Sequence, residues 1–261
     1  MIRLIRAELL KLRTTRLWWG LLIGVVAGSA LLAGVDAGLA GRGNAGMPGV
    51  GDAAMVRTIY TAGISVAYLI TLSLGIIMMA GEYRQATMTA TVLCSPRRER
   101  IVVAKLVALL VAGVGYGMAA AITAVAVGAP IILARGGSAR LLSDGVPRTL
   151  GLAVLAVALW GVLGLGVGTL IRNQVVALLV TIGTAWLVEP LASVALNALD
   201  AGAVARFLPS SATSSLISPP TGAGGFTQEL LPWWGGALVL LGYAAVSGAL
   251  GAAITLRRDI S

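Results

Sequence analysis

One carboxylate stands deep in an apolar run: Glu189, within ALLVTIGTAWLVEPLASVAL. An ionised side chain at the centre of a bilayer costs roughly 2.5–3.5 kcal/mol on insertion scales, so such groups face protein or water. Pro190 follows it and leaves a nearby backbone carbonyl without its helical donor. Glu189 is therefore a candidate to line a vestibule or hold a cationic group. The position equally suits a residue near the membrane edge that marks the start of a re-entrant loop. Other chemistry is scarce. The chain has no histidine and one cysteine, Cys94. That removes histidine acid–base catalysis, histidine metal ligation and Ser-His-Asp or Cys-His nucleophiles, and it excludes an intrachain disulfide. No catalytic or metal-ligating residue is assigned, and none of this points to an enzyme.

The second concentration of chemistry is electrostatic. The stretch GEYRQATMTATVLCSPRRERIVVAK, Gly81 to Lys105, separates two long apolar runs. It carries five basic residues, Arg84, Arg97, Arg98, Arg100 and Lys105, against two acids, Glu82 and Glu99. Gln85 to Cys94 is compatible with a short helix, and Pro96 disfavours helical geometry at Ser95 and ends it. A helix across a membrane mouth with charges at its ends can dock in a groove on another protein. The opening segment MIRLIRAELLKLRTTR is also basic and amphipathic. At 100° per residue Ile2, Ile5, Leu9 and Leu12 share a face, with Arg3, Arg6 and Arg13 on one flank and Glu8 and Lys11 on the other. Such a helix is expected to lie on the membrane surface.

These residues have to be positioned by membrane helices. The chain is 58% hydrophobic and 11% charged, with a mean hydropathy of +0.94, whereas a soluble domain carries about 25% charged residues. Six segments reach the ~20 apolar residues needed to cross the hydrocarbon: roughly Leu17–Val35, Ile59–Ala80, Val102–Leu133, Leu150–Ile171, Val175–Leu196 and Leu231–Leu256. They are continuously apolar, so they read as helices and not as barrel strands. The fold class is all-α and polytopic, one transmembrane domain over residues 1–261. With the N-terminus inside, thirteen Arg and Lys fall on the cytoplasmic side and six on the other, the bias that places both termini in the cytoplasm. The net charge of +9 thus reflects orientation and membrane lipid, not nucleic acid. The Arg, Ala, Gly and Val richness suggests a GC-rich bacterial genome and hence a bacterial plasma membrane.

Hydroxyl residues mark two spans. Thr58, Thr61, Ser65 and Tyr68 share a face of the second, and Thr181 and Thr184 pair on the fifth. Such residues either join helices or line a pathway. Gly20, Gly24 and Gly28, and Gly164 with Gly168, have the spacing that lets helix backbones approach closely, and read as packing. Residues 197–230 form a long outer connection, with short helices expected to dip back into the membrane, because long structureless loops are uncommon.

Taken in order, these features resemble the permease subunit of a type 2 ATP-binding-cassette (ABC) transporter. The resemblance rests on Glu8–Lys11–Leu12–Arg13 before the first span and on six spans with both ends inside. It rests also on Glu82 at the inner end of the second span, then Thr87, Pro96–Arg97–Arg98 and Lys105, and on Pro209–Ser210–Ser211–Ala212 before the last span. Ala86 stands where the family has Gly. The resemblance implies that residues 82–100 hold a coupling helix seated on an ATPase, with Glu82, Tyr83, Arg84, Gln85, Thr87, Pro96, Arg97, Arg98, Arg100 and Lys105 as coupling residues. It implies that residues 1–16 form the interfacial connecting helix, through Ile2, Ile5, Glu8, Leu9, Lys11, Leu12 and Arg13. It implies re-entrant helices before the sixth span, and a pathway at a dimer axis flanked by the second and fifth spans, which would enlist Thr61, Ser65, Tyr68, Thr181, Thr184 and Glu189. The partners implied are two ATPase subunits and a second permease copy or homologue. No G-x-x-x-x-G-K-[ST] phosphate loop occurs in the chain, so ATP and its magnesium are expected on the partner and no cofactor here.

The implied activity is export of a hydrophobic or amphipathic substrate. An ATP-independent channel, or a scaffold of a secretion or division apparatus, is the alternative. A channel calls for rings of polar pore residues. An intramembrane enzyme needs clustered acids or a Ser/Lys pair, where this chain offers Glu189 alone within a span.

Overall fold

The computed structural model describes residues 2–15, 17–42, 49–84, 98–171, 173–199, 201–217 and 230–258, with backbone alone at 82–84, 98–101 and 251–258. The described residues are helical, without a strand. In order they form α1 (Ile2–Thr14), α2 (Leu17–Leu39), α3 (Ala53–Thr61), α4 (Ile64–Arg84), α5 (Arg98–Ala134), α6 (Val146–Leu170), α7 (Gln174–Gly183), a π-helical turn (Thr184–Val188), α8 (Glu189–Ala198), α9 (Gly202–Ala205), α10 (Pro209–Ile217) and α11 (Trp233–Arg258). Among the described residues, six stretches are long and apolar enough to cross a membrane: Leu17–Leu39, Ala53–Gly81, Val102–Ala134, Val146–Leu170, Gln174–Ala198 and Trp233–Leu250. The protein is a multi-pass membrane protein. The side carrying α1 also carries the C-terminal end of α11; the opposite side is called the far side below.

Two spans, the second and the fifth, depart from the sequence expectation, and the third keeps its expected bounds within a longer helix. The second starts earlier, at Ala53, where Asp52 caps α3 by accepting from the Ala54 N–H at 2.7 Å. It then breaks at Ala62–Gly63, where the first span presses in: a Cβ on Gly63 would collide with Ser29. The third is one helix of 37 residues through Pro130, about 55 Å at 1.5 Å per residue. It outruns a hydrocarbon core of ~30 Å. The fifth contains the π turn, an extra residue in the helical winding.

Span four, α6, is the hub, with 61% of its apolar window buried against 17% for the fifth span. Its glycines make this possible. Gly161 and Gly164 meet Thr71 and Leu72, and Gly168 meets Ile76 and Met79, so α4 lies directly against the α6 backbone. On the other face Gly166 receives Ser247 and Ala244 of α11. Gly24 and Gly28 pack on Ile70 and Val66, whereas Gly20 has open space beside it. The small-residue motifs are packing surfaces, Gly20 excepted.

Far-side arginines hold the connecting loops. Arg135 donates to the carbonyls of Ala37 (2.6 Å) and Ala40 (2.7 Å) and so closes the C-terminus of α2, where a cation also suits the helix dipole. Arg57 donates to the Asp144 carbonyl at 2.8 Å, and Arg140 pairs with the Asp144 carboxylate at 2.7 Å. The Tyr60 hydroxyl donates to the Ala139 carbonyl at 2.7 Å. Half of the six far-side arginines thus fasten connecting segments, through backbone carbonyls or through the Asp144 carboxylate.

Candidate functional site

On the α1 side the two charged features of the sequence converge. Lys105 Nζ donates to Glu8 Oε2 at 2.8 Å, and Lys11 Nζ donates to Glu8 Oε1 at 2.8 Å. The Glu8 and Lys105 side chains are only 7% and 3% exposed. Burial pushes the Glu8 carboxyl up, but the two ammonium groups, Lys105 foremost, outweigh this and hold it below its ordinary 4.5. The pair binds the amphipathic helix to the start of span three, immediately after residues 82–100. It also decides which way α1 faces. Leu4, Ile5, Leu9 and Leu12 are half-buried beside Glu8, while Ile2, Arg3, Arg6, Leu10 and Arg13 are exposed. Ile2 therefore does not join the face of Ile5, Leu9 and Leu12, and Glu8 is central to the protein side, not on a flank. The reason is the ion pair, which draws the arc centred on Glu8 onto α5.

On the far side the structure assembles a second cluster. Glu189 follows the π turn, is buried, and accepts from the Ser210 N–H through Oε2 at 2.7 Å. Ser210 lies in the first turn of α10, so the carboxylate meets orphan donors and the positive end of the helix dipole. Three residues on, Thr213 Oγ1 accepts from Trp160 Nε1 at 2.8 Å, and both residues are buried. Trp160 in turn stacks on Tyr68, ring centroids 4.4 Å apart at 22°. Tyr68 and Glu189 lie within electrostatic reach of each other. Spans two, four and five and α10 therefore meet around one polar chain in an apolar surround that includes Leu72, Leu159, Leu216 and Leu240. Trp160 stands about 21 Å along α6 from Val146 at 1.5 Å per residue, so α10 is packed at the depth of the middle of the bundle.

The decisive comparison concerns α1 through the π turn: the family model for the ABC-2 family transporter protein matches residues 4–186. The chain belongs to the ABC-2 transporter family. No curated protein matches it. Membership makes it a membrane permease component of ABC transport, a family that works with ABC ATPase partners. In this ABC-2 permease the matched region holds Glu8, Lys11 and Lys105, whereas Glu189 and α10 lie beyond it.

The proposed site residues of the ABC-2 permease divide as follows. Gln85, Thr87, Pro96 and Arg97 lie outside the described residues, as does the helix expected over Gln85 to Cys94. The backbone of Glu82, Tyr83 and Arg84 ends α4, and that of Arg98 and Arg100 begins α5. Among the pathway candidates, Tyr68 and Glu189 are brought into one cluster. Thr61 and Ser65 flank the break in span two, with hydroxyls bonded to Arg57 and Ala62 carbonyls. The break interrupts the even stripe expected from helical spacing. Thr181 and Thr184 bond back to Ala177 and Val180. Trp160, Thr213 and Arg135 were not singled out in the sequence. Trp160 carried a signal, since an indole N–H deep in an apolar run needs an acceptor.

Proposed function

We propose that this chain is the membrane half of an ATP-driven exporter, working as a pair of permease copies bound to two ATPase subunits on the α1 side, which is the cytoplasmic face of a bacterial plasma membrane. The observation that carries the reading is the buried Glu8–Lys105 pair. It ties α1 to α5 at the point where α5 leaves residues 82–100. In this scheme that region is the coupling element, with Glu82, Arg84, Arg97, Arg98 and Arg100 meeting the ATPase. A push there moves α4 and α5, and the ion pair makes α1 travel with α5 as one body. Alternating access needs two states that partner nucleotides favour differently. The substrate crosses unmodified, so the chain itself is assigned no reaction. The far-side cluster of Tyr68, Trp160, Thr213 and Glu189 is read as the outer gate, with α9 and α10 as the re-entrant pair, and an apolar bundle suits a hydrophobic or amphipathic substrate.

The arginine placement supports the orientation: three of the far-side arginines are engaged with loop carbonyls or with Asp144. The experiment is charge reversal at Arg97 and Arg98 in a complex co-expressed with its ATPase. Membrane insertion is expected to persist while ATP hydrolysis continues without transport. Transport at the wild-type rate, or failure of the chain to hold any ATPase, would overturn the reading in favour of a channel or scaffold.

A further inference from the structure

The outward face of α1 is left over once the ion pair is made. Glu8 is the acid of this helix, and it is buried against Lys105 and Lys11 on the protein side. The opposite arc therefore presents Arg3, Arg6 and Arg13 with no acid among them, interleaved with Ile2 and Leu10, which are 69% and 61% exposed. This is a surface of fixed positive charge with apolar stems between the charges.

Its depth is set by helix register. Gly113 packs on Ala158 and Gly117 on Val154, an antiparallel pairing that brings Lys105 level with about Gly166. That lies about 6 Å from the end of α6 at Leu170, at 1.5 Å per residue. Glu8, bonded to Lys105, holds α1 at the level of the last turn of the spans. Trp18 and Trp19 follow at once, and the Trp18 indole donates to the Arg13 carbonyl at 3.0 Å. Tryptophans of this kind mark the headgroup zone of a bilayer.

We propose that the Arg3–Arg6–Arg13 face of α1 is a binding surface for anionic phospholipid, with the guanidinium groups on phosphates and Ile2 and Leu10 in the upper acyl region. Guanidinium suits phosphate because its fork pairs two oxygens at once. The inference goes beyond the transport reading and does not need it: a scaffold or channel with this helix would hold the same lipid.

The test uses the full chain purified in neutral detergent and supplied with phosphatidylglycerol or phosphatidylcholine, the retained lipid being counted by native mass spectrometry. The wild type is expected to retain phosphatidylglycerol preferentially. R3Q/R6Q/R13Q is expected to lose that preference, at about fivefold per guanidinium near a charged surface. R3K/R6K/R13K keeps the charges and is expected to keep most of the preference, which separates lost binding from lost folding. Equal retention of the two lipids by the wild type, unchanged preference in the glutamine variant, or loss of preference in the lysine variant would each overturn the proposal. So would a glutamine variant that keeps its lipid but no longer holds a co-expressed ATPase subunit in lipid-free micelles, because the face would then belong to that protein.

Discussion

Lys105 donates to Glu8 across 97 residues of chain, and both side chains are buried. The pair fixes the amphipathic helix α1 to the base of span three. Removing Glu8 takes from the buried Lys105 ammonium an acceptor 2.8 Å away, and breaking a buried pair in this way is destabilising. Glu8→Leu is therefore expected to lower the thermal stability of the purified chain, and Glu8→Leu with Lys105→Met to lower it by less than the two single changes summed. Losses that simply add in the double variant would refute this account of the pair.

The same pair carries a pH dependence. The folded-state pKa of Glu8 is depressed, because Lys105 and Lys11 outweigh the effect of burial. Its stabilisation is fully present above the unfolded value near 4.5 and is lost as pH falls through the lower, folded value. Docking of α1 should thus be constant between pH 6 and 8 and weaken only in acid below 4.5. Limited proteolysis at the half-buried Leu4, Leu9 and Leu12, with an acid-active protease of apolar specificity for the low-pH arm, reads the release. Glu8→Gln should abolish the acid step.

Glu189 gives a prediction on the opposite side. Its carboxylate closes the first turn of α10 through the Ser210 N–H, and removing a capping side chain costs about 0.5–2 kcal/mol. Glu189→Gln keeps an acceptor oxygen but removes the charge that favours the helix N-terminus. Under the proposed gate role, transport is expected to fall with expression intact in Glu189→Gln and to fall further in Glu189→Ala. Unchanged transport in the glutamine variant would remove Glu189 from the proposed gate.

Two glycines of matching motifs should behave oppositely. A Cβ at Gly164 would strike the Leu72 carbonyl region, whereas one at Gly20 meets nothing within 4 Å. Gly164→Ala is expected to destabilise by about 1–3 kcal/mol through overpacking. Gly20→Ala should be neutral or slightly stabilising, since glycine weakens a helix by about 0.5–1 kcal/mol relative to alanine. Thermal unfolding of the two variants side by side decides it.

The spans were readable from the sequence because hydrophobic length alone determines which segments enter a bilayer. Leu17–Leu39 and Val102–Ala134 differ from expectation by only a few residues at an end. The interruptions were not readable. The break at Ala62–Gly63 depends on Ser29 of another helix occupying the space of a side chain, a tertiary fact that no local pattern encodes. Glu8 and Lys105 were each singled out, but for separate roles, because nothing in composition joins two residues that far apart. Glu189 was legible as an anomaly, since a carboxylate in an apolar run is costly. Its partner was not, because a backbone N–H leaves no mark in the sequence.

The Glu189–Ser210 contact sets a timetable for synthesis. Span five emerges from the ribosome before α10, whose first turn lies 21 residues downstream. Until α10 is made and folded back, the span carries a carboxylate whose presence in hydrocarbon is disfavoured by roughly 2.5–3.5 kcal/mol. The segment is then expected to sit less stably than in the finished bundle, until α10 has been translated and supplies the Ser210 N–H. Chains halted between these two elements should accumulate with span five shallow in the membrane.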